Sequence, residues 1–428
     1  MKLGIYIPDI SKSEGGGFSY TNFIVDYFNS NPDLHHQFTF IIDSDSAKSY
    51  LQSKSVSDIE FFDSEKGKVI PEQEELANLK RQIKRMHSLK YRLRLKILAP
   101  FIEILEEKSK LKEQIIKTKQ FDLFAKNAGI DLAYYPYPFQ TLSLNFPFIA
   151  TVWDLGHITL KEFSEISDAE QFEFRDKLYG DMLPKAQYVI CESDAGKQLV
   201  KDNFSVYEPR LKVIPMPPAS YISAQIPDGL EVEFLKKNNL TQSKYLFYPA
   251  QFWPHKNHVN MLEAFAKICK EAGDLSLVLC GSNKGALSQI KAVIELLKIT
   301  EKVRILNFLP DEEVKILYEN AFCLFYPSFL GPTNMPLIEA AILGCPVVCS
   351  GHDGHIEQLG DAALYFDPHN IDLMADQVIK LYNSPEDRAK LIQKAKSRVN
   401  SKYQPVSNLF TEFIEALDEY DRKRRCWA

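Results

Sequence analysis

Apolar runs of about four or five residues, rich in β-branched and aromatic side chains, alternate along the chain with longer segments of helical periodicity. In the first half these runs predict strands at Leu3–Ile7, Phe38–Ile42, Leu132–Tyr135, Phe148–Val152 and Tyr188–Cys191. In the second half they predict strands at Tyr245–Tyr248, Ser276–Cys280, Val303–Leu306, Cys323–Tyr326, Pro346–Cys349 and Ala363–Phe366. Strands that alternate with helices predict an α/β protein with doubly wound parallel sheets.

A proline cluster at Ile214–Pro218 separates the two series of strands and indicates a domain boundary. We therefore expect two Rossmann-like domains, residues 1–218 and residues 219–406. A last helix within residues 407–428 follows the second series, and it can pack on either domain, including back on the N-terminal one.

The first domain is interrupted by a helical insertion, residues 76–119, in which the pattern contains no strand candidate. Between Lys80 and Lys96 the insertion carries eight basic residues and no acidic one, and its apolar residues fall on one helical stripe. Two interpretations stay open. A basic amphipathic helix of this kind makes peripheral contact with an anionic membrane, whereas a solvated helix packs its apolar stripe on its own domain.

Composition and charge narrow the class of protein. The 428 residues are 45% hydrophobic, so the chain can bury sizeable cores. The 51 Lys and Arg residues against 57 Asp and Glu residues give a net charge of −6, which argues against a nucleic-acid partner. Seven cysteines, an odd number, fit a reducing compartment. With no leader pattern and no apolar run of about 18 residues, we expect a cytoplasmic protein, located at the inner face of the membrane if the basic helix binds lipid.

The strongest candidate site is a Gly/Pro-rich loop that leads from a strand into a short helix, within residues 327–344. Pro336 suits the first helical turn. Free N–H groups there, at Met335 and Leu337 among others, would form an anion site suited to a diphosphate. Glu339 lies one turn further and is a candidate acceptor of hydrogen bonds from ribose hydroxyls. The alternative is that Glu339 only complements the helix dipole.

A second anion site is predicted at Lys256, in a loop between a strand and a helix for which Asn257 is the expected N-cap. The alternative is an ordinary lysine that faces solvent. Both loops follow parallel strands of one sheet, and ligands bind at the carboxyl edge of such sheets. We therefore expect the two loops to serve one ligand.

The first half offers two weaker candidates. Gly15, Gly16 and Gly17 follow the first strand and allow close approach of a phosphate or a sugar to the backbone, although a flexible turn explains them equally well. Asp154 and His157 follow a buried strand, where His157 could bond a sugar hydroxyl or serve as a structural histidine. The histidine and acidic spacings give no convincing metal site, so no metal and no cofactor are expected.

Taken together, these loops resemble the retaining family-4 glycosyltransferases of the GT-B fold. The resemblance covers most of the chain and is densest from residue 245 to residue 368. In the first half the matching positions are Gly15 to Gly17, Asp154, His157 and Ser193. In the second half they are Lys256 of an Arg-(four residues)-Lys motif, Leu277–Gly281, Phe308–Glu313, Tyr326–Ser328, Pro336–Glu339 and Gly360–Pro368.

The resemblance implies two Rossmann-like domains that face each other across a cleft and bind a nucleoside diphosphate sugar without a metal ion. It implies that Lys256 binds the donor diphosphate, that Glu339 binds the ribose, and that the backbone near Phe308 holds the base. The implied catalytic positions are Lys256, His157 and Asp154. The other implied donor-binding positions are Gly16, Gly17, Gln251, Phe308, Leu309, Gly331, Thr333, Asn334, Met335, Pro336 and Leu337.

The chain departs from the family pattern at three positions. Gly331 stands where the Glu-(seven residues)-Glu motif has its first glutamate, Gln251 replaces the arginine that accompanies the lysine, and Trp153 replaces a histidine. The first two changes remove charge-assisted contacts, each worth about 1.5–3 kcal/mol. Because a subset of the family resembles this chain in its Gly-Pro-Thr-Asn and Pro-His-Lys-Asn loops, we interpret the changes as variation of a subgroup.

The function that this resemblance implies is transfer of a hexosyl unit, with mannosyl from GDP-mannose as the first choice, to a hydroxyl group of a glycan or lipid-linked saccharide in surface-polysaccharide, lipopolysaccharide or capsule assembly. No carboxylate pair suited to double displacement is evident, so we expect front-face retention. Two alternatives remain open: a catalytically silent nucleotide-sugar-binding scaffold, and a GT-B nucleotide-sugar epimerase.

Overall fold

The computed structural model describes residues 1–9, 15–31, 34–63, 108–109, 112–403 and 406–426. Its strands form two parallel sheets, one of seven strands and one of six, so the predicted α/β class is confirmed. The basic segment Lys80–Lys96 and most of the predicted insertion lie outside the described residues.

The first sheet has the strand order β3-β2-β1-β4-β5-β6-β7. Its strands are β1 (Lys2–Tyr6), β2 (Gln37–Ile42), β3 (Ile59–Phe61), β4 (Leu132–Tyr135), β5 (Phe148–Val152), β6 (Tyr188–Cys191) and β7 (Leu211–Val213). The second sheet has the order β10-β9-β8-β11-β12-β13. Its strands are β8 (Tyr245–Pro249), β9 (Ser276–Cys280), β10 (Val303–Leu306), β11 (Cys323–Tyr326), β12 (Val347–Ser350) and β13 (Ala363–Phe366).

Every predicted strand is present, with its ends within one residue of the predicted ones. The central strands are buried on both faces: Phe247, Val278, Leu324 and Val347 expose none of their surface. Continuous apolar runs of this kind mark parallel strands that are covered on both sides, which is why the pattern found them. The two strands that the pattern missed, β3 and β7, are three residues long and lie at the edges of the sheet.

Helices connect and cover the strands. Those in the first half are Gly16–Ser30, Asp45–Ser53, residues 112–127, Gly156–Thr159, Ser164–Ser167, Ala169–Met182 and Asp194–Asn203. Those in the second half are Leu230–Lys237, His258–Glu271, Leu287–Leu296, Asp311–Asn320, Met335–Leu343, Asp353–Leu359, Ile371–Asn383, Pro385–Tyr403 and Thr411–Arg425.

The chain divides into two compact units, residues 1–9 with 28–149 and residues 10–27 with 150–428. Within the second unit the last helix, Thr411–Arg425, contacts β7. The ring of Phe410, just before this helix, stacks on Tyr27 with centroids 4.4 Å apart. The domain boundary near residue 218 stays a prediction. All residues of the site described below belong to the second unit.

Candidate active site

The second unit contains a cavity of about 340 Å³, lined by the loops that follow β5, β6, β8 and β11 and by Gly15, Gly16 and Gly17 at the start of the helix Gly16–Ser30. Predicted site residues that line it are Gly16, Gly17, Asp154, Gln251, Lys256, Gly331, Thr333, Asn334, Met335 and Pro336. The cavity therefore brings together four sequence segments that the motifs had proposed separately.

Five predicted residues do not line this cavity: His157, Phe308, Leu309, Leu337 and Glu339. His157 is completely buried between the rings of Phe172 and Tyr179, with centroids 5.8 and 5.7 Å from its own. Phe308 is 57% exposed. The predicted contact of His157 with a sugar is therefore not seen in this arrangement.

Lys256 ends the short 3-10 turn Pro254–Lys256 that follows β8. Tyr248 donates a hydrogen bond to the Lys256 carbonyl at 2.7 Å, which fixes the backbone. The ammonium Nζ lies 3.5 Å from Ser328 Oγ and 3.5 Å from Asn334 Oδ1, and 5.8 Å from the Tyr326 ring centroid. Within the described part of the chain no salt bridge neutralises this ammonium.

Burial lowers the pKa of Lys256 to about 8, and the nearby charge of Asp154 opposes that shift only in part. Desolvation disfavours the charged form of an amine. The group therefore stays mainly cationic at neutral pH while it lies in a pocket with little water. An anion that enters the cavity meets an ammonium that has already lost most of its hydration.

Asn257 precedes the helix His258–Glu271, as predicted, but its side chain does not cap it. The residue is in the left-handed region, with φ of 59°. Its amide Nδ2 donates to the carbonyls of Pro327 and Pro368 at 2.9 and 2.8 Å. Asn257 thus occupies the predicted N-cap position without a capping hydrogen bond, and its side chain instead holds the loops after β11 and β13 against the lysine loop.

The Gly-Pro-Thr-Asn loop is organised around Asn334. Its Oδ1 accepts from the Tyr326 hydroxyl at 2.8 Å, and its Nδ2 lies 2.7 Å from His355 Nε2. His355 Nδ1 lies 2.8 Å from the Ser350 carbonyl, so Nδ1 carries the proton and Nε2 accepts from the amide. Burial lowers the pKa of His355 to about 3. The cluster is therefore neutral.

This cluster explains why glycine occupies position 331. A Cβ on Gly331 would overlap the Asn334 amide and lie 2.6 Å from His355 Nε2. A glutamate side chain, which the family pattern has here, needs that same space. The Asn334 amide and the His355 imidazole therefore leave no room for a side chain at position 331.

The helix Met335–Leu343 begins directly after Asn334. Gln358 holds its first turn, because its Oε1 accepts from the Asn334 N–H at 3.0 Å and its Nε2 donates to the Asn334 carbonyl at 3.2 Å. The N–H of Leu337, which was predicted to be free, donates to the Asn334 carbonyl at 3.2 Å. Leu337 is therefore removed from the predicted anion site, while Met335 and Pro336 still line the cavity.

Glu339 is buried and already hydrogen-bonded. Its Oε2 accepts from Tyr221 at 2.7 Å and from Tyr318 at 2.9 Å. Burial raises the pKa of Glu339, and the two tyrosine hydroxyls oppose that shift. Complementing the helix dipole, the alternative role for Glu339, does not require these two hydrogen bonds. Tyr221 lies in the short turn Ser220–Ser223, just after the predicted linker.

Asp154 follows β5 and is paired. The Arg175 guanidinium lies 3.2 Å from its Oδ1 and 3.3 Å from its Oδ2, and the Gly156 N–H donates to Oδ1 at 2.8 Å. Asp154 lines the cavity, whereas Arg175, on the helix Ala169–Met182, does not. The Asp154 carboxylate is thus held in place by groups that do not line the cavity themselves.

Glu192 follows β6 and also lines the cavity, although only 6% of its surface is exposed. Its Oε2 accepts a hydrogen bond from the Thr333 hydroxyl. Burial raises the pKa of Glu192 to about 8, and the charge of Asp154 acts in the same direction. A neutral carboxylic acid therefore stands among the polar groups of the pocket at neutral pH.

The site can now be compared with known proteins. Residues 231–398 match the family model described as Glycosyl transferases group 1. O-antigen chain mannosyltransferase B of Escherichia coli is 25% identical over 270 residues, 63% of this chain and 69% of that protein. O-antigen chain mannosyltransferase RfbU of Salmonella typhimurium is 28% identical over 184 residues, 43% of this chain and 48% of that protein. The chain is a glycosyltransferase, and over residues 231–398 it is similar to the group 1 family.

Its fold is GT-B. The crystal structure of Anabaena Alr3699/HepE in complex with UDP and glucose superimposes with a TM-score of 0.66 at 15% identity, covering 98% of this chain and 100% of that one. Among the described residues of this glycosyltransferase, no helix is both long and apolar enough to cross a membrane. Likewise, in the described ranges, His, Cys, Asp and Glu side chains form no group of three suited to a metal ion.

Several residues that shape the site of this glycosyltransferase were not predicted from the amino-acid sequence. Glu192 follows a predicted strand directly, so the strand-end rule that found Asp154 could have found it too. Arg175, Tyr221 and His355 gave no comparable signal, because each reaches the site from a helix or turn distant in sequence.

Proposed function

We propose that this glycosyltransferase transfers a hexosyl unit, mannosyl from GDP-mannose as first choice, to a hydroxyl acceptor with retention of anomeric configuration. The observation that carries the proposal is one cavity in which Lys256, the N-terminus of the helix Met335–Leu343 and two glycines, Gly16 and Gly17, converge. An ammonium beside a helix N-terminus is chemistry suited to a diphosphate.

The diphosphate is the part of the donor on which negative charge grows during transfer. Lys256, half-buried and without an ion-pair partner in the described part of the chain, stabilises that charge together with the positive end of the helix dipole at Met335. Preorganised groups in a pocket of low polarity make a metal ion unnecessary for this task. We therefore propose metal-independent transfer.

The proposed reaction proceeds on one face of the sugar. The bond from C1 to the diphosphate oxygen breaks, the acceptor oxygen forms its bond to C1 on the same side, and the acceptor proton passes to the leaving diphosphate oxygen. Asp154 and Lys256 line the cavity in which this happens. We give His157 no contact with the donor, because it is completely buried away from the cavity.

The nature of the donor rests on similarity. Two relatives are named as O-antigen chain mannosyltransferases, which favours a mannosyl unit and a role in lipopolysaccharide O-antigen assembly. The Anabaena protein of the same fold binds UDP and glucose. GDP-mannose and UDP-glucose are therefore the two donors that an experiment must separate first.

For the rest of the donor we propose that Glu339 binds the ribose and that the backbone of Phe308 and Leu309 holds the base. In the acceptor we propose a glycan or lipid-linked saccharide, presented at a membrane that the segment Lys80–Lys96 contacts. We also propose domains divided near residue 218 and a subgroup defined by the Gly-Pro-Thr-Asn and Pro-His-Lys-Asn loops.

The test is release of nucleoside diphosphate from a panel of nucleotide sugars with GDP, UDP, ADP and TDP bases. Lys256→Ala and Glu339→Ala should each lower the rate at least about tenfold, since each removes a contact to the bound donor. Lys267→Ala, a surface lysine paired with Asp372, serves as the control and should leave the rate unchanged. Unaltered rates in both site variants would reject the site.

A second candidate, a silent nucleotide-sugar-binding scaffold, is favoured by one observation. The neutral Asn334–His355 cluster occupies the place of a carboxylate that the family pattern has at Gly331. A scaffold should bind nucleotide sugar and release no diphosphate in the presence or absence of acceptor saccharides. Turnover with any donor in the panel excludes it.

A further inference from the structure

Glu192 has no assigned role, yet it occupies the cavity with the proposed diphosphate ligands. It follows β6 directly, and its side chain is more than nine-tenths buried. Its neighbours in the cavity include Asp154, Lys256 and Thr333. A carboxyl group is rarely buried in this way without a cation or a full set of hydrogen bonds.

The hydrogen bonds of Glu192 are incomplete. Oε2 accepts from the Thr333 hydroxyl. Oε1 is buried and has no hydrogen-bond partner among the residues that the structure describes. Among those described residues, no lysine, arginine or histidine forms an ion pair with Glu192. Oε2 is thus held in place by Thr333, whereas the hydrogen-bonding capacity of Oε1 is left unsatisfied.

The protonation state decides what the second oxygen offers. Burial raises the pKa of Glu192 to about 8, so the acid keeps its proton at neutral pH. Because Oε2 accepts from Thr333, the proton lies on Oε1. Oε1–H is then a hydrogen-bond donor that is desolvated and orientated by the Thr333 contact.

We propose that Glu192 binds the sugar moiety of the donor, with Oε1–H hydrogen-bonded to a sugar hydroxyl and Thr333 holding the carboxyl group in position. This inference rests on the proposed function, because it requires a nucleotide sugar in the cavity. It adds a sugar contact that the motifs of the chain did not identify.

A sugar hydroxyl fits this position better than a phosphate oxygen. The diphosphate of a nucleotide sugar carries two negative charges at neutral pH and is matched by Lys256 and the helix N-terminus. Glu192 would repel it whenever the acid loses its proton. A hydroxyl group both donates and accepts, so it can satisfy the neutral acid without adding charge to the pocket.

The experiment compares two ligands on the full chain. Binding of the nucleoside diphosphate alone and of the matching nucleotide sugar is measured by calorimetry for the wild type, Glu192→Ala and Glu192→Gln. The Ala variant should weaken nucleotide-sugar binding about tenfold and diphosphate binding less than about twofold, because only the sugar contact is lost. The Gln variant, whose amide can still donate, should lose no more than about threefold.

Asp194→Asn is the matched control, an exposed acid two residues along the chain, and it should bind both ligands as the wild type does. If Glu192→Ala does not fold, Glu192→Met fills the same volume without a polar atom and carries the same comparison. Equal losses for both ligands would assign Glu192 to the phosphates, and no loss for either would remove it from the site; both results overturn the proposal.

Failure of the proposed function has a different signature. A wild-type protein that binds no nucleotide sugar would overturn the function and, with it, the role of Glu192. A wild type that turns over a donor while Glu192→Ala keeps full affinity would leave the function intact and reject only the sugar contact. An altered KM for the acceptor at unchanged donor affinity would also contradict the proposal.

Discussion

Two acids follow neighbouring strands of the first sheet, Asp154 after β5 and Glu192 after β6, and both line one cavity. Asp154 has the Arg175 guanidinium at 3.2 Å and the Gly156 N–H at 2.8 Å. Glu192 has one hydroxyl partner, Thr333, and its pKa is raised to about 8 by burial. The carboxyl ends of these neighbouring strands thus hold one acid with an ionic partner and one acid that has no ionic partner among the described residues. The difference comes from the helix Ala169–Met182, which brings Arg175 to Asp154.

The largest expected effect is a pH dependence of the free energy of unfolding that Glu192 causes. Native Glu192 keeps its proton up to about pH 8, whereas an unfolded glutamate ionises near its ordinary value of 4.5. Between these values the native state binds more protons, so the free energy of unfolding falls as pH rises. From about pH 5 to pH 8, Glu192→Gln should gain roughly 2–4 kcal/mol relative to the wild type.

Urea denaturation at the two pH values measures this difference. Asp194→Asn, the exposed control, should follow the wild type at both. A constant difference between Glu192→Gln and the wild type would mean that Glu192 is already ionised in the native protein, and the contrast with Asp154 would disappear.

The next largest effect is expected when Asp154 loses its cationic partner, Arg175. Arg175→Met should lower the free energy of unfolding by roughly 2 kcal/mol, because Asp154 then lies largely buried without its partner. The two side chains are 12% and 22% exposed, so the loss should be smaller than for a fully buried pair. The control is Lys201→Met, which breaks an exposed pair with Glu208 and should change nothing measurable. Equal stability of the Arg175 variant and the control would show that the pairing does not distinguish the acids.

Lys256 lines the same cavity as the two acids, and the affinity of this cavity for anions should depend on pH. Its pKa is lowered to about 8 by burial, so it loses charge above that value while Glu192 gains one. Both changes disfavour a diphosphate. The dissociation constant of the nucleoside diphosphate should rise about tenfold from about pH 7 to pH 9.

Two variants separate the contributions of Lys256 and Glu192 to this pH dependence of the dissociation constant. Glu192→Gln should retain only the part due to the lysine, and Lys256→Arg only the part due to the acid, since arginine stays charged. Calorimetric titration at three pH values would detect either. A wild-type affinity that does not vary over this range is incompatible with the electrostatics described here.

The smallest expected effect extends the comparison to a third acid. Glu339 accepts from two tyrosines, so Tyr221→Phe leaves one hydrogen bond in place. We expect a loss of about 1 kcal/mol in the free energy of unfolding. Tyr207→Phe, on a residue that is 70% exposed, is the matched control and should be neutral. A loss of about 2 kcal/mol or more would mean that Glu339 depends on Tyr221 as Asp154 depends on Arg175.

Most of the fold followed from local pattern. The continuous apolar runs of β8 and β9 predicted buried parallel strands because both faces of such strands are covered, and a sequence window can detect that. The edge strands β3 and β7 could not be found in this way, since three residues carry no period. Lys256 and Pro336 were identified because strand-loop-helix junctions are local features as well.

The amino-acid sequence alone determined the α/β class, the strand positions and the loops that carry Lys256 and the Gly-Pro-Thr-Asn segment, because each depends on residues close together in the chain. Only the tertiary structure decided that Asp154 is paired with Arg175, that Glu192 is buried with one oxygen unsatisfied, and that Asn334 and His355 occupy the space beside Gly331. Desolvation and partner geometry depend on distance in space, and residues 21 to 141 positions apart supply them here.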